Sequence, residues 1–375
     1  MSAKSTESIK LEMIRLCHSS LDSQTLRLEL LKRLKVVIPF DYVYFSTTDP
    51  ATHFATSSVL LETPPPWLMS IFLENEFLQQ DFNKFSDMCR SHQPVSALSE
   101  ATRYDMRQSQ RYRDMLVPLA MEDELRAVFV AGGACWGTLC LHRENKKLRY
   151  TPAETNFLAS LVPHIADGLR KALLLESPLQ NETPDGPGVL ILADDFSIVT
   201  MTAVAAYWLA ELIGMEGGER GTLPLTVRSV ASGLQALERG LAGADFVPKV
   251  RLRTRTGQWL MLYASRLLCT GTPSHISVTM EAARPEELAP LIMQAYQLTR
   301  RESEITRCVL QGWLTAEIAA RLFISPNTVQ DHLKAIFEKV GVNSRGNLRR
   351  GYLSSSIYHF QSGSRLDAAG QFIIE

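Results

Sequence analysis

This sequence lacks several features of secreted, membrane and metal-binding proteins. Its six cysteines (17, 89, 135, 140, 269 and 308) form no Cys-x-x-Cys pair, and no histidine stands at metal-ligand spacing from them. That usage is typical of reduced thiols in a cytoplasmic protein. The N-terminus has no apolar stretch before a cleavage site, and no apolar run reaches about 18 residues, so we expect no signal peptide and no membrane span. We therefore predict cytoplasmic localisation, no cofactor, no metal and no membrane partner.

A catalytic constellation is also missing. There is no GxxxxGK[ST] phosphate loop, no Ser-His-Asp order and no paired carboxylates. The Asp194-Asp195 pair is similar to that of a phospho-receiver domain, but no aspartate lies between it and Asp245 to accept the phosphoryl group. Cys17-His18 is similar to a tetrapyrrole attachment dipeptide, but it falls in a predicted leading helix. We expect a protein that is not an enzyme.

The length and charge distribution indicate several domains with different partners. A chain of 375 residues with 45% apolar and 21% charged residues can build two or three ordinary cores. Residues 298–353 hold nine Lys/Arg against five Asp/Glu, a net charge of +4, whereas residues 1–297 carry a net charge of −4. A positive segment on a slightly acidic body suits a phosphate-bearing partner at one end.

Residues 298–353 contain the start and stop signals of successive short helices. Thr299 and Glu302 can form a capping box, and Gly312 stands where a left-handed C-cap is expected. Thr315 is a candidate N-cap for a second helix, and Ser325-Pro326 begins a third after a short turn. This order predicts a helix-turn-helix.

The third predicted helix, residues 326–340, has two unlike faces. The face predicted to enter the core contains Val329, Leu333, Ile336, Phe337 and Val340. On the polar face we predict that three residues read DNA bases: Gln330, Asp331 and Lys334. Five others are predicted to contact DNA phosphates: Ser325, Asn327, Thr328, Lys339 and Arg345. A purely protein-binding role of these helices is the alternative, and salt-dependent DNA binding would distinguish the two.

The segment LTRRESEITRCVLQGWLTAEIAARLFISPNTVQDHLKAIFEKVGVNSR resembles the LuxR-type (NarL/FixJ-like) DNA-binding domain almost throughout. The resemblance implies an all-α four-helix domain in which Gln330, Asp331 and Lys334 occupy base-reading positions. It also implies a dimer contact in the fourth helix, from Ser344 onward. The chain departs from the family pattern there, because Arg349 and Arg350 replace a common apolar pair.

Upstream, the sequence shows a helical pattern over about residues 7–37, a strand from Tyr42, a loop region, helical segments around 67–79 and 106–116, a hairpin around Gly132-Gly133 and a long helix from Pro152. The segment WGTLCLHRE…YTPAETNFLASLVPHIADGLRKALL is similar to the end of a GAF domain. That resemblance implies an antiparallel sheet with a small-molecule pocket. Five aromatic residues are candidates for its lining: Tyr42, Tyr44, Trp67, Phe82 and Phe129. The alternative for each is that it only fills a core.

Residues 189–283 show two strands, helices and three strands, an order that resembles a PAS domain. The full predicted division is an N-terminal helix (1–20), the GAF-like domain (21–176), a linker (177–188), the PAS-like domain (189–283), a connecting helix (284–297), the helix-turn-helix domain (298–355) and a tail (356–375). The predicted fold class is therefore multidomain α+β, followed by an all-α LuxR-type domain.

These features together predict a sequence-specific DNA-binding transcription regulator. We expect double-stranded DNA as its partner, a homodimer on paired half-sites, and RNA polymerase as a candidate protein partner. A small-molecule or protein signal would act through the GAF/PAS-like region. The alternative is a constitutive regulator in which that region only mediates dimerisation or protein contacts.

Overall fold

A computed structural model describes residues 3–61, 65–91, 93–144, 149–175, 184–216, 223–243, 246–268 and 274–354. The chain folds into two compact units. The first unit comprises residues 1–176 and 181–282, and the second comprises residues 177–180 and 283–375. Within the described ranges, no helix combines the length and apolar character needed to cross a membrane.

The first unit begins with an antiparallel sheet ordered β2-β1-β5-β4-β3. Its strands are β1 (Tyr42–Thr48), β2 (Ala55–Leu60), β3 (Val95–Ala97), β4 (Met121–Ala131) and β5 (Ala134–Glu144). Its helices are α1 (Ala3–Cys17), α2 (Ser23–Val37), α3 (Pro66–Leu78), α4 (Phe85–Arg90), α5 (Leu98–Ala101) and α6 (Pro152–Leu175), with a 3₁₀ turn at Met106–Gln108 and a π turn at Tyr112–Leu116. The predicted hairpin is confirmed, and Gly132 and Gly133 adopt the positive φ angles (61° and 75°) that its turn requires.

A second antiparallel sheet in the same unit has the order β7-β6-β10-β9-β8. Numbered from its own first strand, this is the 2-1-5-4-3 order of the first sheet. Its strands are β6 (Gly188–Leu192), β7 (Ile198–Met201), β8 (Lys249–Arg253), β9 (Trp259–Leu267) and β10 (His275–Ala282), and its helices are α7 (Ala203–Glu216) and α8 (Leu225–Glu238). The predicted element order is confirmed. The chain therefore contains two sheets of the same topology.

Three details of the first sheet differ from the sequence prediction. The continuous helical pattern to residue 37 is two helices, because Asp22 accepts a hydrogen bond from the Thr25 N–H (2.9 Å) and caps α2. The predicted loop after β1 contains strand β2, which pairs antiparallel with β1, and the short strand β3, which pairs with β4, was not predicted either. The sequence Ala-Thr-Ser-Ser-Val-Leu has no alternation of apolar residues, so its strand character was not visible locally.

The β1–β2 turn joins the two sheet regions. Phe54 in this turn is 0% exposed and belongs to the core of the second sheet, where its ring lies 5.3 Å from that of Phe77 and 5.6 Å from that of Phe246. A Cβ on Gly233 of α8 would lie 2.4 Å from the Phe54 ring, so α8 approaches this ring as closely as only glycine allows. Burial of this aromatic side chain therefore stabilises both regions together.

An ion pair reinforces that junction. Asp49, which is 2% exposed, accepts from three donors of Arg251 on β8: the backbone N–H (2.9 Å), Nε (2.9 Å) and the second guanidinium nitrogen (2.6 Å). A bidentate arginine–carboxylate contact fixes orientation as well as distance. The first unit thus holds its two sheets in one defined arrangement.

The second unit contains α9 (Pro285–Ala295), α10 (Arg300–Leu310), α11 (Thr315–Leu322), α12 (Pro326–Val340) and α13 (Arg345–Ser354). Helix α12 packs against α10 and α11, and α13 packs against α9 and α10. The predicted fold class, antiparallel α+β followed by an all-α helix-turn-helix, is confirmed. The linker prediction falls partly on residues 176–183, and the tail prediction on residues 356–375, which lie outside the described residues.

Candidate nucleic-acid interface

Local capping determines where each helix of the second unit begins and ends. The capping box of α10 is present: Thr299 Oγ accepts from the Glu302 N–H (3.3 Å), and Glu302 accepts from the Thr299 N–H (2.7 Å). Gly312 has φ 89°, as predicted for a left-handed cap. The N-cap prediction for Thr315 is wrong by one position, because Leu314 is the N-cap and its N–H donates to Glu317 (2.6 Å).

The turn before α12 places a helix start on the surface. Phe323 is left-handed (φ 55°) and 94% exposed, and the Ser325 Oγ accepts from the Thr328 N–H (3.1 Å). Pro326 has no N–H and the Thr328 N–H is used by the cap. A phosphate at this end would therefore meet the N–H of Asn327.

Helix α12 has the two faces that the sequence predicts. Val329, Leu333 and Ile336 are buried, with 0%, 5% and 0% exposure, and they anchor the helix in the unit. Phe337 and Val340, the other two residues of the predicted core face, are half-buried. The predicted base-reading residues all lie on the opposite, exposed face: Gln330, Asp331 and Lys334. Asn327 is exposed one turn earlier on this face, since positions 327, 330, 331 and 334 are three or four residues apart. The structure thus brings the predicted reading residues together on one solvent-facing stripe.

Two of the predicted phosphate residues make bonds inside the unit. The Lys339 ammonium lies 2.6 Å from Glu302 and also donates to the Gln297 carbonyl (3.3 Å). Arg345 donates to the Trp313 carbonyl (3.2 Å) and to the Thr315 hydroxyl (2.7 Å). Both cations therefore connect elements distant in the chain, which sequence spacing could not show.

The Lys339 contact has an electrostatic consequence at the start of α10. Burial alone would raise the pKa of Glu302, but the hydrogen bonds from Lys339 and Thr299 outweigh it and hold that pKa below its ordinary value. Glu302 is thus an anion at neutral pH, and it pairs with Lys339 beside the capping box.

One exposed cation of α11, Arg321, was not selected by the sequence analysis. Arg321 on α11 is exposed, and its guanidinium carbon lies 4.7 Å from the centre of the Trp313 ring. In helix-turn-helix proteins the first helix crosses the DNA backbone, so an oriented arginine on that helix suits a phosphate. The sequence alone shows that Arg321 is charged and lies in the predicted second helix, but it does not show that Arg321 lies over Trp313.

The five predicted pocket aromatics do not surround a common cavity. Tyr42 and Trp67 are 36% and 41% exposed, whereas Tyr44 is buried beside Phe72, with ring centres 5.5 Å apart. Phe82 packs at the edge of the hydrophobic cluster that contains Tyr44 and Phe72. Phe129 stacks on Phe45 at 5.3 Å, and because Phe45 follows Tyr44 on β1, it lies on the other face of the sheet.

Buried charges occupy much of the Tyr44 face. The Glu124 carboxylate lies 2.8 Å from Arg111 and 3.1 Å from Arg126, and all three side chains are fully buried. Burial would raise the pKa of Glu124, but the two guanidinium groups and His142 hold it well below its ordinary value. Arg126 also lies over the Phe85 ring, 4.5 Å from its centre. The part of this sheet face around Glu124 is therefore a charged, hydrogen-bonded core.

The similarity of this sequence to known proteins lies mainly in the second unit. Residues 296–350 match the profile of a family described as bacterial regulatory proteins, luxR family. The probable transcriptional regulatory protein SgaR of Hyphomicrobium methylovorum is 48% identical over 48 residues, which are 13% of this chain and 23% of SgaR. The spore germination protein GerE of Bacillus subtilis is 44% identical over 48 residues, 13% of this chain and 65% of GerE. The chain thus spans less than two thirds of the length of either relative.

Solved structures with weak overall similarity cover larger parts of the chain. The LBD domain of VqsR from Pseudomonas aeruginosa is 18% identical and covers 46% of this chain and 98% of that domain, with a TM-score of 0.32. SdiA of Escherichia coli is 13% identical and covers 93% of this chain and 97% of SdiA, with a TM-score of 0.32.

Proposed function

We propose that this chain, which carries a DNA-binding domain of the luxR family of bacterial regulatory proteins at residues 296–350, is a sequence-specific transcription regulator. The observation that carries the proposal is the stripe of Asn327, Gln330, Asp331 and Lys334 along α12, exposed opposite a fully buried apolar stripe. A helix with one buried apolar face and one exposed polar face, and with its N-terminus at the surface, can enter a major groove while it stays packed in its domain.

Each residue of the stripe has a defined chemical use in the groove. Gln330 can make two hydrogen bonds to adenine, and Lys334 can donate to the O6 and N7 acceptors of guanine. Asp331 would be repelled by phosphate, so its favourable partner is the amino group of cytosine. Asn327, Thr328, Ser325 and Arg321 would position the unit on the backbone, where contacts add affinity without reading sequence.

The first prediction separates base reading from backbone contact. Gln330→Ala should reduce discrimination at one base pair by about 1–3 kcal/mol and leave the other positions unchanged. Arg321→Gln should weaken all sequences about equally and lower the slope of log K against log salt by about one. Binding assays over single-base variants of one operator, at two or more salt concentrations, measure both effects.

The matched control for that experiment is Lys339→Met. Its ammonium is bound to Glu302, so its removal should change the salt slope less than Arg321→Gln does. If Gln330→Ala weakens every sequence equally, α12 does not read bases in the manner proposed.

In this proposal the first unit controls DNA binding by the second. One helix-turn-helix domain makes few base contacts, so we propose that two copies bind paired half-sites and that a small-molecule or protein signal sets their arrangement. Such a signal can act only through its different affinity for the two arrangements. RNA polymerase is the protein that a regulator bound near a promoter would contact, and the cytoplasm is the proposed location.

The second prediction tests that control. A fragment of residues 284–375 has its own caps and buried residues and should bind the same operator more weakly than the full chain, because it lacks the unit proposed to pair two copies. Affinity and stoichiometry are measured on one operator at one salt concentration. Equal values for fragment and full chain would favour a regulator whose first unit has no part in DNA binding.

A further inference from the structure

A cavity of about 370 Å³ lies at the junction of the two sheets of the first unit. Its walls come from both sides: the β1–β2 turn, α3 and α4 contribute from the first sheet region, and α8 and the residues that follow it contribute from the second. Five aromatic side chains line it: Tyr44, Phe72, Phe77, Phe85 and Phe246. Of the five pocket aromatics predicted from sequence, Tyr44 is the one that reaches it. A volume above about 300 Å³ with an apolar, aromatic wall is typical of small-molecule sites.

The cavity lining carries a net positive charge, because its carboxylate, Glu76, is paired with Arg126. Glu76, the carboxylate of the lining, uses both oxygens: one accepts from the Phe85 N–H (2.8 Å) and the other is bound to Arg126 (2.9 Å). Lys84 donates to a neutral acceptor, the carbonyl of Gln79 (2.6 Å). Arg90 pairs with Asp87 on the solvent side, where both side chains are mostly exposed. An exposed pair of this kind is weak, so Arg90 can exchange it for a ligand.

One polar group of the cavity lining lacks the hydrogen-bond partner that a ligand would provide. The Thr52 hydroxyl is buried, and within the described part of the chain it has no hydrogen-bond partner, although it lines the cavity. His53 follows it in the lining, and burial together with the nearby Arg90 charge lowers the pKa of this imidazole. At neutral pH the ring is therefore a neutral hydrogen-bonding group. A buried hydroxyl without a partner costs free energy that a bound acceptor would recover.

We propose that this junction cavity binds a small amphiphilic acid, whose apolar body lies among the aromatic side chains and whose carboxylate lies at the end formed by Thr52, His53 and Arg90. Lys84 supplies a second cation in the wall. A cationic ligand would meet Lys84 and Arg90 unfavourably, and a purely apolar one would leave Thr52 without an acceptor. The inference deepens the signal control proposed above by specifying its site and ligand class.

Occupation of this site would act on the junction itself. Because the ligand contacts the β1–β2 turn and α8 together, it binds only the docked arrangement that Phe54 and Asp49 maintain. Binding to one arrangement stabilises it in proportion to the logarithm of ligand concentration over the dissociation constant. The ligand should therefore raise the melting temperature of the full-length protein.

The test uses full-length protein without DNA and two probe acids, 2-naphthoate and decanoate, each compared with its neutral primary amide by calorimetry. We expect at least one acid to bind about tenfold more tightly than its amide, the effect of one charge-assisted contact. Arg90→Gln should remove that preference, and Thr52→Val should weaken the acid about fivefold. Arg15→Gln, an exposed arginine of α1 outside the lining, is the matched control and should change nothing.

Acids that bind no better than their amides would overturn the proposal, as would an Arg90→Gln protein that keeps the preference. Since no DNA is present, either outcome leaves the DNA-binding proposal to be judged separately. Circular dichroism of the Thr52→Val protein verifies that its loss of affinity is not a loss of fold.

Discussion

Phe54→Ala is expected to destabilise the first unit by about 3–5 kcal/mol, the cost of removing a fully buried phenylalanine side chain. The effect should be large because the ring belongs to the core of the second sheet although its backbone belongs to the turn after β1. The deletion leaves a cavity between Phe77, Phe246 and α8, which the Asp49–Arg251 ion pair prevents from collapsing. Chemical denaturation of the full-length protein, monitored by tryptophan fluorescence, measures the loss.

Phe323→Ala is the matched control for this change. It removes the same side chain from a position that is 94% exposed, so stability should change by less than about 0.5 kcal/mol. An unchanged denaturation midpoint for Phe54→Ala would mean that the turn does not hold the two sheets together.

The second large effect is expected within the DNA-binding unit. Ile336→Ala should reduce the stability of this unit by about 2–5 kcal/mol, since Ile336 is 0% exposed on the inner face of α12. Val329→Asp should be at least as damaging, because it buries a carboxylate at a site that is also 0% exposed. Both variants should lose DNA binding through unfolding, which thermal melts of the 284–375 fragment would detect.

Gln330→Ala and Lys334→Ala are the companions to these variants. They truncate exposed side chains on the outer face of the same helix, so the melting temperature should stay nearly constant while DNA recognition changes. If all four variants melt alike, the outer face of α12 is not free for DNA.

The LuxR-type resemblance is confirmed. It could be recognised from the sequence because the features that carry it involve residues close together in the chain. Capping boxes, a glycine cap and apolar spacing of three and four residues involve partners within one or two helical turns. The Thr299–Glu302 box, Gly312 and the buried stripe of α12 were all predicted and are all present. The one local error, Thr315 in place of Leu314 as N-cap, is a shift of one residue.

The errors in the first unit have a different origin. Strand β2 was missed because strand pairing with β1, rather than an apolar pattern of its own, defines it. The predicted pocket aromatics failed to converge because Tyr44 and Phe45 point to opposite sides of one strand, and the prediction placed Phe129 with Tyr44 rather than with Phe45.

The sequence by itself determined the element order of the second sheet region, the hairpin and long helix of the first, and the helix-turn-helix with its exposed polar stripe, because these depend on short-range patterns. The tertiary structure alone decided which side chains pair across the fold. It paired Lys339 with Glu302, Arg345 with Trp313, and Asp49 with Arg251, 202 residues away in sequence. It also placed Phe54, whose backbone lies in the turn after β1, in the core of the second sheet. Such contacts depend on where distant segments meet in space, which spacing along the chain does not encode.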